Sequence, residues 1–144
     1  MEKKNSVTRK LVVNSEAHAI FSVLADVEKW NEWTKSITSI SFLEKERFVV
    51  GGKASILQPR LSPAIWTITE IVENKSFTWK TKTLGVIITA THTLESSPVG
   101  TVVELRLIYE GFLSGLLFAI SSKKAAQNLE LEINGLKSKC EMIG

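Results

Sequence analysis

Ala64-Ile65-Trp66-Thr67-Ile68-Thr69-Glu70-Ile71-Val72 alternates large apolar side chains with polar ones, and that alternation decides the fold. Successive side chains of a strand point to opposite faces, so Trp66 and Ile68 share one face and the threonines share the other. Ser76–Thr83 repeats the pattern, with Phe77, Trp79 and Thr81 on the inner face and Thr78, Lys80 and Lys82 toward water. In Val86–Leu94, Ile87 competes with the set Ile88, Ala90, His92 and Leu94. The threonines Thr89, Thr91 and Thr93 on the opposite face favour that set, which turns His92 inward. In Thr101–Tyr109 the inner set is Val103, Leu105, Leu107 and Tyr109, and the outer set is Glu104, Arg106 and Glu110.

The same period of two extends upstream through Phe48–Leu57 and Ile37–Leu43, and Val7–Val13 reads as a first strand with Val7, Arg9, Leu11 and Val13 on one face. The breaks carry turn residues: Glu44-Lys45-Glu46, Pro59 to Pro63, Glu73-Asn74-Lys75, Leu84-Gly85 and Ser96 to Gly100. Connections this short favour antiparallel neighbours, because a parallel pair needs a crossover of a dozen or more residues. Gly51-Gly52 reads as a strand bulge.

Two helical stretches flank the strands. Ala17, Ile20, Phe21 and Leu24 recur at three and four, with Asn14 or Ser15 as the expected N-cap. Asp26 restarts a second short helix, whose Trp30 and Trp33 stack one turn apart and cap the open end of the core. Past Gly111, Ala125, Ala126, Leu129, Ile133, Leu136 and Cys140 mark one face of a long helix. Its start is expected between Gly115 and Ser122, and Lys123, Lys124, Gln127, Glu130 and Lys137 lie mainly on its other faces. An α+β fold follows: about seven antiparallel strands curve around a long C-terminal helix, with two short N-terminal helices. If the helix does not fill the concave side, a cavity remains.

Length and composition agree with one domain over residues 1–144. A hydrophobic content of 44% with 23% charged residues excludes disorder. A net charge of +3, evenly spread, gives no footprint for nucleic acid. One cysteine excludes a disulfide framework and a cysteine-based zinc cluster. After the basic start Met1–Lys10 only Leu11-Val12-Val13 is apolar, too short for a signal sequence, and Phe112–Ile120 falls short of the roughly 20 residues that span a bilayer. The expected location is the cytoplasm, with no integral membrane segment and room for transient membrane contact.

Candidate functional residues come from the inner face: Trp66, Ile68, Trp79, Ala90, His92, Leu105, Leu107 and Tyr109. His92 is the histidine on a predicted strand and the natural general base, against a plainer reading as a half-buried ring satisfied by a hydroxyl or water. Tyr109 offers a hydroxyl to a ligand or stays a core residue with a wet tip. Phe112 and Leu116 join them as ligand-binding candidates: they belong to Phe112–Phe118, too densely apolar for one helical face, so some of it meets a ligand, a partner or forms a flexible cover over the cavity entry. Gly51-Gly52-Lys53-Ala54-Ser55 lacks the spacing of a phosphate loop, and His18 and His92 form no metal motif. Asp26, Glu28, Glu32 and Glu70 show no pairing for a two-carboxylate hydrolase, and Ser114 lacks a nucleophile elbow. No metal or cofactor is expected, and these residues by themselves spell out no reaction.

The ordered set Asp26-Val27-Glu28-Lys29-Trp30-Asn31-Glu32-Trp33, Ile37, Gly51-Gly52, Trp66-x-Ile68-x-Glu70, Phe77-x-Trp79, Leu94-Glu95, Gly100-Thr101 and the amphipathic closing helix resembles the START-like, or SRPBCC, superfamily. Within it the chain is most similar to the polyketide cyclase/dehydrase and lipid transport branch, over about residues 5 to 140. The resemblance implies a helix-grip fold around a deep apolar cavity and carries over no fixed catalytic set. It implies binding or transport of a lipid, quinone or polyketide-like molecule. The alternatives are a cyclase/dehydrase-type enzyme using the same cavity, with His92 and Tyr109 as proton-transfer groups, and a protein-interaction module of the chaperone-activator type.

Overall fold

Pairing of the alternating segments is direct. A computed structural model describes residues 5–45 and 47–143. Met1 to Lys4 of the basic start, Glu46 of the second turn and Gly144 lie outside the described residues. The strands are β1 (Ser6–Val13), β2 (Ser39–Phe42), β3 (Lys53–Leu57), β4 (Ala64–Val72), β5 (Ser76–Thr83), β6 (Val86–Ser97) and β7 (Gly100–Glu110). Among the described residues they form one seven-stranded sheet in the order β1-β7-β6-β5-β4-β3-β2, antiparallel at every step. From β1 the chain runs through α1 (Ala17–Ala25) and a 3-10 helix (Val27–Glu32) to the far edge of the sheet. It then meanders back strand by strand until β7 lies beside β1, and leaves as α2 (Ser114–Ile143).

Sequence alternation sets the register. Phe77, Trp79 and Thr81 face His92, Ala90 and Ile88 across β5 and β6, and these face Leu105, Leu107 and Tyr109 on β7. Phe77, Trp79, Leu105 and Tyr109 are buried, as are Ala90, His92 and Leu94. Leu84 (φ 46°) and Gly85 (φ 74°) both take the left-handed conformation that a two-residue hairpin loop requires. The ring of Phe112 lies against Gly85, where a Cβ would come within 2.5 Å of a ring carbon.

Several expected boundaries move for local reasons. The front of Phe48–Leu57 is a turn rather than a strand: Gly51 has φ 92°, its N–H donates to the Ile68 carbonyl at 2.8 Å, and the Gly52 N–H donates to Val49 at 2.9 Å. Phe48 packs edge-on to Phe21 and Phe77 instead of joining the ladder. The bulge expected at Gly51-Gly52 falls on β4, between Ile68 and Glu70. Neither Asn14 nor Ser15 caps α1, because the N-cap position falls on Glu16, which itself makes no side-chain cap hydrogen bond. The Asn14 N–H donates to the Glu141 carboxylate, and the Ser15 carbonyl accepts the Thr101 hydroxyl at 2.7 Å.

α2 starts at Ser114, before the expected window. Gly115 does not interrupt it, since the glycine stands in open space in the first turn. The helix is 30 residues, about 45 Å, long. Its C-terminal half is seated by Leu129, Ile133, Leu136 and Cys140, each 4% exposed or less, whereas none of Ser114–Asn128 is fully buried. Burial pushes the Cys140 thiol up to about 11, with Glu141 adding to the rise and Lys139 opposing it, so the cysteine is a packing residue. At Gly135 a Cβ would lie 1.9 Å from the Trp33 carbonyl oxygen, so the glycine lets the helix lie against the chain leaving the 3-10 helix. Arg9 to Glu130 at 2.6 Å and Lys137 to the Val12 carbonyl at 3.1 Å tie α2 to β1 at the surface. Among the described residues no helix is long and apolar enough to cross a membrane.

Two substitutions test this seating by chemical denaturation. Leu129→Ala is expected to cost about 2–5 kcal/mol as a large-to-small change in a buried stripe. Gly135→Ala gains roughly 1 kcal/mol of helix propensity yet meets backbone that cannot yield, so the net effect is a loss of about 1–3 kcal/mol. A stabilised Gly135→Ala protein would contradict the close approach.

Candidate functional site

Because α2 is seated by its C-terminal half only, a gap opens between its N-terminal half and the concave sheet. The gap is a cavity of about 730 Å³. Its buried walls are Trp30, Trp79, Ala90, His92, Leu105 and Leu129. Exposed residues frame the mouth: Leu61 on the β3–β4 loop, Lys82 and Thr83 at the end of β5, and Ile120 and Lys124 on α2.

Of the residues expected from sequence, Trp66, Trp79, Ala90, His92, Leu105, Leu107 and Tyr109 stand on the cavity wall. Three do not. Ile68 shares the face of Trp66 but sits two residues deeper, 1% exposed inside the solid core. Phe112 and Leu116 point outward, 87% and 61% exposed, because Phe112 covers the β5–β6 turn and Leu116 lies on the outer side of the first turn of α2. The Phe112–Phe118 segment is therefore a hairpin cover and helix start, and only its Leu117 reaches the wall.

Trp30 is a wall residue that sequence reasoning placed at the end of the core. Its indole lies 5.4 Å from Trp79 and 5.6 Å from His92, and its N–H donates to the Leu24 carbonyl at 3.0 Å. The tilted contact with Trp33, 5.3 Å, is the expected one. Another missed wall residue is Glu132 on α2, whose side chain is 14% exposed and lines the cavity. Its place was readable: 132 is seven residues after Ala125, three after Leu129 and four before Leu136, on the inward stripe.

His92 is 3% exposed and held on three sides. Its ring stacks on Phe77 at 4.1 Å and 7°, Trp30 meets it edge-on, and Nδ1 lies 3.0 Å from the Phe77 carbonyl. A carbonyl only accepts, so Nδ1 carries a hydrogen and Nε2 faces the cavity. Nε2 lies 3.6 Å from Glu132 Oε1. Histidine and glutamate thus form a polar pair in a wall that is mainly aromatic and aliphatic, with Gln58, Thr81, Ser121 and Asn128 also lining the space. Tyr109, which pairs with Ile88 rather than His92, stands four residues along β7 from the His92 partner Leu105, about 13 Å away. The two therefore do not converge on one atom. Among the described residues no three histidine, cysteine, aspartate or glutamate side chains converge to hold a metal ion.

Burial pushes the Tyr109 phenol up, a hydrogen bond with Ser121 opposing the rise. Its raised folded value means that this contribution to stability is complete below the unfolded value of about 10 and is lost as pH rises beyond it. Tyr109 is the one tyrosine in the chain, so tyrosinate absorbance reads it directly. The native midpoint is expected above that of the unfolded protein; a midpoint at or below it would place the ring in water.

The fold and cavity can be set beside known proteins. A START superfamily protein from Mycobacterium smegmatis superposes with a TM-score of 0.73 at 15% identity, covering 96% of this chain and 99% of that one. Ara h 8.0201 superposes at 0.76 and 11% identity, covering 95% and 97%. The di-domain ARO/CYC StfQ of the steffimycin biosynthetic pathway superposes at 0.74 and 13% identity, covering 95% of this chain and 50% of that one. At these identities the likeness shows the helix-grip fold. No curated protein matches the sequence. The family model described as polyketide cyclase/dehydrase and lipid transport matches residues 4–141, nearly the whole chain, and the chain belongs to that family.

Proposed function

We propose that the chain, residues 1–144 acting as one domain in the cytoplasm, binds a neutral apolar small molecule in this cavity and shields it from water as a carrier or sensor. The supporting observation is the wall itself: Trp30, Trp66, Trp79, Leu105 and Leu107 enclose a volume within the range of about 300–1,000 Å³ usual for small-molecule sites. An aromatic group burying ~200 Å² gains about 5 kcal/mol at ~25 cal/mol per Å², against ~0.5–1.5 kcal/mol net for one neutral hydrogen bond. Apolar area therefore supplies most of the affinity, which fits a lipid, quinone or polyketide-like ligand.

The pairing of His92 with Glu132 supports a second reading, proton transfer to a bound polyketide-like substrate, since a histidine and a carboxylate facing one space are the usual acid–base groups. The likeness to an ARO/CYC protein points the same way.

N-phenyl-1-naphthylamine, a neutral probe whose fluorescence rises out of water, tests the first reading. Saturable binding is expected for the wild type. Ala90→Trp, which places an indole between Trp79 and Leu107, should abolish it while circular dichroism stays unchanged. Undiminished probe binding by a folded Ala90→Trp protein would put the site elsewhere.

A further inference from the structure

The polar pair in the wall selects the ligand's chemistry. His92 Nε2 and Glu132 Oε1 are 3.6 Å apart, beyond the roughly 2.7–3.2 Å of a direct hydrogen bond. The imidazole cannot rotate to close the gap, being stacked on Phe77, edged by Trp30 and anchored through Nδ1 to the Phe77 carbonyl. A third atom that bonds to both sides can bridge a polar separation of this size. An oxygen placed to the cavity side of the pair can lie about 2.8 Å from each atom.

The donor count says which oxygen. Glu132 Oε1 and any Nε2 lone pair both accept, so in every protonation state the pair turns at least one acceptor toward the cavity. A hydroxyl donates to that acceptor, and it accepts from the other side of the pair where that side carries a hydrogen. An ether or carbonyl oxygen only accepts and leaves the acceptor of the pair without a partner inside the wall. A carboxylate would be set beside Glu132, a like charge at the buried end of the cavity, while the cationic Lys82 and Lys124 stand at the mouth. We infer that the His92–Glu132 pair is a recognition site for a single neutral hydroxyl, so the ligand is an apolar alcohol or phenol rather than a fatty acid or a pure hydrocarbon. This rests on the reading of the cavity as a small-molecule site and names the class it takes.

The test displaces N-phenyl-1-naphthylamine with three ligands of one shape: 2-naphthol, 2-methylnaphthalene and 2-naphthoate. A wall without polar partners favours the methyl compound, because burying an unpaired hydroxyl is unfavourable. The pair should reverse that order, with 2-naphthol competing about tenfold better than 2-methylnaphthalene and 2-naphthoate not competing. Glu132→Leu should return the preference to 2-methylnaphthalene. Glu132→Gln removes the like charge and should admit 2-naphthoate at least tenfold better than the wild type, a gain that loss of folding cannot mimic. If the wild type binds the probe but prefers 2-methylnaphthalene as strongly as Glu132→Leu does, the hydroxyl site is overturned and the cavity reading stands. If the wild type binds no probe, both fall.

Discussion

The height of α2 above the sheet is set where its C-terminal half is buried, with Leu129, Ile133, Leu136 and Cys140 in the concave core and Gly135 directly beneath the Trp33 carbonyl. Close packing there leaves no freedom to slide the helix, since protein interiors resist even small changes of volume. The sheet curves away from a straight helix seated at one end. Toward Ser114 the separation grows and the side chains of α2 become exposed or half-exposed. The cavity is the consequence of that geometry, and its position under residues 117–132 follows from where the stripe of large buried side chains begins.

The wall inherits its chemistry from strand alternation. Each inward residue of β4 to β7 stands opposite another inward residue, so aromatic and aliphatic side chains collect on one surface. Two hydroxyls on that surface are satisfied locally: the Thr81 hydroxyl donates to the Ile65 carbonyl at 2.7 Å, and the Ser121 hydroxyl to Leu117 at 2.8 Å. His92 and Glu132 differ, because one nitrogen and one oxygen are turned toward each other 3.6 Å apart at the cavity wall. Affinity and selectivity then come from different atoms, area from the aromatic wall and discrimination from the pair.

Much of this was legible in the chain. Trp66-Thr67-Ile68 and Phe77-Thr78-Trp79 fix the inward face because a one-residue slip would turn every large side chain to water. The stripe Leu129, Ile133, Leu136 fixes the buried face of α2. Other features depend on contacts that no local pattern encodes. Ile68 and Trp66 share a face, yet depth along the strand makes one core and the other wall. The helix start, expected between Gly115 and Ser122, lies at Ser114, because a glycine in an exposed first turn costs a long helix little beside the packing of its C-terminal half. Glu132 has the spacing of the inward stripe, and its charge hid it, since glutamates are mostly exposed. Trp30 read as an end cap because a 3-10 helix at the far side of the sheet gives no sign that its indole reaches His92.

The measurement that bears most directly on the cavity is an isotope-filtered NOE spectrum of labelled protein with bound N-phenyl-1-naphthylamine. The account predicts cross-peaks from the probe to the methyl groups of Ala90, Leu105, Leu107 and Leu129 and to the ring protons of Trp79. Cross-peaks confined to Leu84, Phe112 and Leu116, the exposed apolar side chains outside the mouth, would contradict it.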